Sequence, residues 1–136
     1  MTKITVETSV NAALEKVWDC WTIPKHIVNW NFALDEWCCP KAENDLKENG
    51  RFSYTMSSKD GKMSFDFGGI YTRIKPMELI HYTLGDGRKV EISFRYDGKN
   101  TILTETFETE EVNPEEMQKN GWQAILDNFK KYTESC

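Results

Sequence analysis

Ile4, Val6 and Thr8 alternate with Thr5, Glu7 and Ser9, the two-residue period of a strand with one buried face, which predicts a first strand within residues 1–10. The period then changes. Leu14, Val17, Trp18 and Trp21 fall at i, i+3, i+4 and i+7, on one side of a helix that Asn11 is placed to cap. Pro24 suits the first turn of a second short helix carrying Ile27 and Trp30, so residues 11–30 read as two short helices. Residues 31–50 keep no sustained period and hold Trp37, Cys38, Cys39 and Pro40, so a loop over a cavity mouth is expected there.

Alternation returns from residue 50 to 109, interrupted by Asp60-Gly61, Asp86-Gly87 and Asp97-Gly98, which are hairpin-type turns. The result is a five-stranded antiparallel meander. Its apolar rows are Phe52, Tyr54 and Met56; Met63, Phe65 and Phe67; Ile80, Tyr82 and Leu84; Val90, Ile92, Phe94 and Tyr96; and Leu103, Glu105 and Phe107. Gly68-Gly69 predicts a bulge or sharp bend. Asn113-Pro114-Glu115-Glu116 combines a capping Asn, Pro at the first helical position and Glu three residues after the cap, opening a helix over residues 114–133. Met117, Gly121, Trp122, Ile125, Leu126, Phe129 and Tyr132 share one half of it. Only the concave face of a curled sheet is wide enough to cover that half, so an α+β helix-grip architecture follows, with a gap suited to an apolar small molecule.

At 136 residues, 39% hydrophobic and 29% charged, the chain has the size and composition of one globular domain. No apolar run is long enough to span a membrane and the first residues lack a signal-peptide core, so a cytoplasmic protein without membrane partners is expected. The formal charge of -5, with no cluster of basic residues, argues against nucleic acid. Residues 105–116 hold six glutamates and no Lys or Arg, read as a charged edge strand followed by the acidic first turn of a helix. Cys20, Cys38, Cys39 and Cys136 form no C-x-x-C pair, and with His26 and His81 as the two imidazoles a metal site would need scattered ligands. No metal or cofactor is expected, and the thiols read as reduced and structural.

Several stretches together resemble one family. They are Val17-Trp18, Trp30, Asn44-Asp45-Leu46, Gly50-Arg51-Phe52, Lys59-Asp60-Gly61 and Phe65-Asp66-Phe67-Gly68-Gly69-Ile70-Tyr71. Asp86-Gly87-Arg88-Lys89-Val90, Thr104-Glu105-Thr106-Phe107, Met117-Gln118 and Gly121-Trp122-Gln123-Ala124-Ile125-Leu126 extend the match over essentially the whole chain. The chain resembles the START-like (SRPBCC) superfamily and, within it, bacterial proteins similar to activators of Hsp90 ATPase. The resemblance implies a helix-grip fold with a cavity between the long helix and the sheet. That superfamily includes carriers, cyclases, aromatases, sensors and chaperone activators, so the fold alone does not choose among them. A chain of 136 residues has no room for the additional N-terminal domain of the eukaryotic activator, so stimulation of an Hsp90-type ATPase by this chain alone is not expected.

The expected ligand-binding residues are Trp30, Trp37, Tyr54, Phe65, Phe67, Tyr82, Glu105, Gln118, Gly121 and Trp122, whereas Trp18, Trp21 and Phe129 are expected to be structural. Glu105 sits on an apolar row, where it is a cavity acid, a residue turned to solvent by a bulge, or one held by a structural hydrogen bond. Gln118 and Gly121 leave room on the helix's buried half, for a ligand or for close packing. Three functions remain open. The first is binding of a small hydrophobic molecule. The second is a cyclase-type or hydrolase-type enzyme with Glu105 as its weak catalytic candidate. The third is a module that contacts a chaperone or another protein.

Overall fold

The computed structural model describes residues 2–136; Met1, included in the expected first strand, lies outside the described residues. The elements run β1 (Lys3–Val10), α1 (Leu14–Thr22), α2 (Pro24–Ile27), β2 (Trp37–Asn44), β3 (Arg51–Ser58), β4 (Ser64–Lys75), β5 (Leu79–Leu84), β6 (Lys89–Tyr96), β7 (Thr101–Glu108) and α3 (Glu115–Ser135). Alternating runs become one antiparallel sheet in the order β1-β7-β6-β5-β4-β3-β2, because β1 returns to pair with the last strand of the meander. The sheet curls into a half-barrel around α3, the helix-grip arrangement expected from the sequence.

Four expectations change. Residues 31–50 are not a continuous loop, since β2 pairs with β3 from Trp37↔Ser58 to Asn44↔Phe52, with an irregularity between Cys38 and Lys41. Pro40 lies in that irregularity on the outermost strand, where a missing N–H does least harm, and it erases the alternation that would have marked a strand. β7 is not an edge, because β1 covers one side of it and β6 the other. Gly68 and Gly69 keep register with Ser53 and Phe52, and the shift falls between Tyr71 and Arg73. The glycines instead permit close approach: a Cβ on Gly68 would stand 2.6 Å from the Phe52 carbonyl oxygen. In β6, Tyr96 ends the apolar row exposed to solvent.

Both expected helix caps also differ. α1 starts after Ala13 with no side-chain cap, while the Asn11 N–H donates to Glu134 Oε2 at the far end of α3 (2.8 Å). α3 begins at Glu115, with Pro114 rather than Asn113 at the N-cap and no capping side-chain bond. The segment ahead of it is held from inside the helix. Gln118 Oε1 accepts the Glu110 N–H (2.9 Å), and Nε2 donates to the carbonyls of Glu110 (3.0 Å) and Asn113 (2.8 Å). The Glu110 carboxylate accepts the N–H groups of Val112 and Asn113.

The core lies between sheet and α3 and extends under α1 and α2. Val10, Val17, Ile27, Leu103, Phe107, Leu126 and Phe129 are fully enclosed. Trp21 and Trp30 stack at 4.7 Å, and each meets the Phe129 ring edge-on at 4.9 Å. One end of the groove is thereby filled with aromatic volume.

Candidate functional site

Toward the start of α3 the groove is not filled. A cavity of about 500 Å³ lies between the first turns of α3, strands β3, β4, β5 and β7, and the segment from Trp30 to Trp37. This volume falls within the range that holds a drug-sized molecule. All ten residues expected at a ligand site border it: Trp30, Trp37, Tyr54, Phe65, Phe67, Tyr82, Glu105, Gln118, Gly121 and Trp122.

Alternation along each strand explains the sheet side of the wall, since Tyr54, Phe67, Tyr82 and Glu105 all project to the concave face. Phe52 anchors this side, with its ring 5.1 Å from Tyr54, 4.8 Å from Tyr82 and 6.1 Å from Phe67. On the helix side Trp122 lies flat on Phe107, centroids 4.1 Å apart and planes 8° from parallel. Gly121 supplies the space: a Cβ there would meet nothing within 4 Å. Trp37 and Phe65 pair edge to face at 5.7 Å near the mouth. Leu34, Phe65 and Met117, each more than half exposed, form an apolar part of the wall open to solvent.

Glu105 is 4% exposed. Its strand keeps unbroken register with β1 (Val6) and β6 (Ile92), so no bulge turns it outward. Leu103 and Phe107 flank it on the same row, both fully buried, and its carboxyl makes no hydrogen bond or ion pair among the described residues. Burial without a partner penalises the charged form and pushes its pKa from 4.5 to about 8. The group is therefore a neutral carboxylic acid at neutral pH, with an O–H to donate.

The phenols around it are also kept protonated. Burial raises Tyr82 well above its ordinary value, and the charge of Glu105 adds to the shift. Tyr54 is raised in the same way, and Tyr71 is pushed up to about 12 by burial while its hydroxyl donates to Asn44 Oδ1 at 2.5 Å. Two other polar groups of the wall are already engaged. Trp30 Nε1 donates to the Cys20 carbonyl (2.9 Å), and both amide donors of Gln118 are held by backbone carbonyls. Gln118 thus shapes the wall and has only spare acceptor capacity to offer.

Sequence reasoning missed several wall residues. Trp21, expected to be purely structural, also faces the cavity, as do Asn31, Met56, Tyr71 and Arg88. Met56 was legible as part of an apolar row. Arg88 was not, because it lies in a turn, where its Nε donates to Asp86 Oδ2 at 2.7 Å. His81 lies outside the wall.

Comparison with known proteins is consistent with this architecture. Residues 11–134 match the family described as Activator of Hsp90 ATPase homolog 1-like protein. The solution structure of an AHSA1-like protein from Aeromonas hydrophila is 37% identical, covers 98% of this chain and 93% of its own, and superimposes with a TM-score of 0.93. A solution structure from Cytophaga hutchinsonii is 56% identical over 98% of this chain and 92% of that one, with a TM-score of 0.84. A crystal structure from Chromobacterium violaceum, 22% identical with a TM-score of 0.88 and covering 98% of this chain and 99% of its own, shares the fold. No curated protein matches. No helix among the described residues is long and apolar enough to cross a membrane. With 124 consecutive residues matched from 11 to 134, the chain belongs to the Activator of Hsp90 ATPase homolog 1-like family.

Proposed function

We propose that this protein binds a small hydrophobic molecule, aromatic or acyl, that also carries a hydrogen-bond acceptor. The observation that carries this reading is Glu105: a buried, unpartnered acid bordering a largely apolar cavity that also takes in the open space at Gly121. A ligand acceptor such as a carbonyl or ether oxygen would accept a hydrogen bond from the carboxyl O–H, while the rings of Phe67, Tyr82 and Trp122 supply apolar contact. The exposed apolar residues Leu34, Phe65 and Met117 mark the way in.

Titration with 1-naphthol tests this, because Trp30, Trp37 and Trp122 report occupancy through their fluorescence. Binding should be saturable and 1:1, and Gly121→Leu, which fills the empty space, should weaken it at least about tenfold. A folded Gly121→Leu protein that binds as tightly as the parent contradicts the placement. Native mass spectrometry of protein purified from its own host would supply the natural ligand's mass.

The same acid supports a second reading, an enzyme of the cyclase or hydrolase kind in which Glu105 delivers a proton and Tyr54 or Tyr82 stabilises a developing oxyanion. Turnover of a retained ligand that is lost in Glu105→Gln while binding persists would favour it. For a chaperone or other protein partner, Glu111, Glu115 and Glu116 are the exposed part of the acidic run, since Glu105 points inward and Glu110 binds backbone N–H groups.

A further inference from the structure

We propose that Cys20, His26 and Cys136 form a binding site for one thiophilic metal ion, of which zinc(II) is the type. None of the three borders the ligand cavity, so the inference stands apart from the function proposed above. The residues are far apart in sequence and brought together by the fold. Cys20 lies on the buried face of α1 between Val17 and Trp21, His26 lies on α2, and Cys136 follows the last turn of α3.

Their ligand atoms lie within 4.8 Å of one another. Around a tetrahedral zinc ion with metal–sulfur bonds of about 2.3 Å and metal–nitrogen bonds of about 2.0 Å, ligand atoms stand roughly 3.5 to 3.8 Å apart. Closing the remaining difference requires a shift on the order of 1 Å. Cys136, exposed and beyond the helix, is the residue able to supply it. Two thiolates and a neutral imidazole balance the charge of a divalent ion, and both thiol protons leave to solvent when it binds. The fourth position is open to water.

The surroundings have the features of an outer shell. The Tyr132 hydroxyl is 2.6 Å from His26 Nδ1 and 4.0 Å from Cys136 Sγ, so it stands beside both groups and leaves Nε2 as the ring nitrogen free for a metal. Thr133 is fully buried and its Oγ1 has no hydrogen-bond partner. This orphaned hydroxyl flanks the Cys20 thiol, and a thiolate is the acceptor that would satisfy it. Lys16 Nζ donates to the Cys136 carbonyl at 2.6 Å, which ties Cys136 to α1. Cys38 and Cys39 lack such a setting: their sulfur atoms donate to the carbonyls of Ser57 and Lys41, and no histidine joins them.

The experiment uses the full chain, reduced and stripped of metal with a chelator. Cobalt(II) is titrated first, then zinc(II) against a chromophoric chelator. The expected result is one cobalt per chain, with thiolate-to-metal charge transfer and the visible bands of four-coordination, displaced by one zinc. Cys136→Ser, at an exposed position that leaves the core intact, and His26→Gln should each remove the thiolate–cobalt spectrum or weaken zinc at least about tenfold. Cys38→Ser and Cys39→Ser should bind as the parent does. Absence of 1:1 binding, binding that survives both Cys136→Ser and His26→Gln, or binding lost in Cys38→Ser would overturn the proposal. Cys20→Ser is interpretable only if its circular dichroism matches the parent, and the exposed Cys136 variant decides the question without it.

Discussion

The two halves of α3 carry one continuous apolar stripe and meet very different surroundings. In the second half Leu126, Phe129 and Thr133 are fully buried, and Phe129 is clasped by Trp21 and Trp30. In the first half Met117 is 61% exposed, Gly121 faces open space, and Trp122 and Ile125 are only half-buried. Periodicity decides which face of a helix turns inward. How completely that face is covered depends on the volume opposite, which two tryptophans fill at one end and nothing fills at the other. The closed half is packed as core, and the open half leaves a cavity.

The comparison breaks most readily through core truncation. Phe129→Ala should lower stability by about 3 to 5 kcal/mol, and Ile125→Ala, whose neighbours include the cavity, by only about 1 to 2 kcal/mol, measured by urea denaturation. Equal losses would mean that both halves are packed alike. The next effect is pH-dependent. The folded state holds the Glu105 proton more tightly than the unfolded chain, so its stabilising contribution is complete below pH 4.5 and declines through the interval up to about 8. The slope there reaches up to about 1.4 kcal/mol per pH unit and levels off above the folded pKa. Glu105→Gln should flatten that decline and leave the protein more stable than its parent on the alkaline side. Gln118→Ala is expected to cost about 1 kcal/mol by releasing the backbone of Glu110 and Asn113, with faster amide exchange at Glu110. An unchanged exchange rate would show that the segment ahead of α3 holds itself.

The sheet and α3 were legible because their signals are local and repeated: alternation, Asp-Gly turns and a helical stripe. Glu105 was legible as a breach of such a row, and Gly121 as missing volume on a buried face. β2 was not, because Cys38, Cys39 and Pro40 interrupt its period at the strand's irregularity. The caps failed for a related reason. Asn11 and Asn113 have the right side chains, but the Asn11 N–H is held by Glu134, and the segment containing Asn113 by Gln118 and Glu110. These are tertiary bonds that no short window reveals. Arg88 and the grouping of Cys20, His26 and Cys136 belong to the same class, since each depends on where turns and helix ends arrive in space.

The central claim is that Glu105 borders the open half of the groove as a neutral acid without a partner. A carbon-13 NMR titration of its side-chain carboxyl, followed in the ligand-free protein, tests that claim directly. The account predicts a midpoint near 8, well above the ordinary value of 4.5, because burial opposes ionisation and no cation answers it. A midpoint at or below 4.5 would show the carboxylate solvated or paired, and would contradict the reading of this cavity as an apolar site built around a protonated acid.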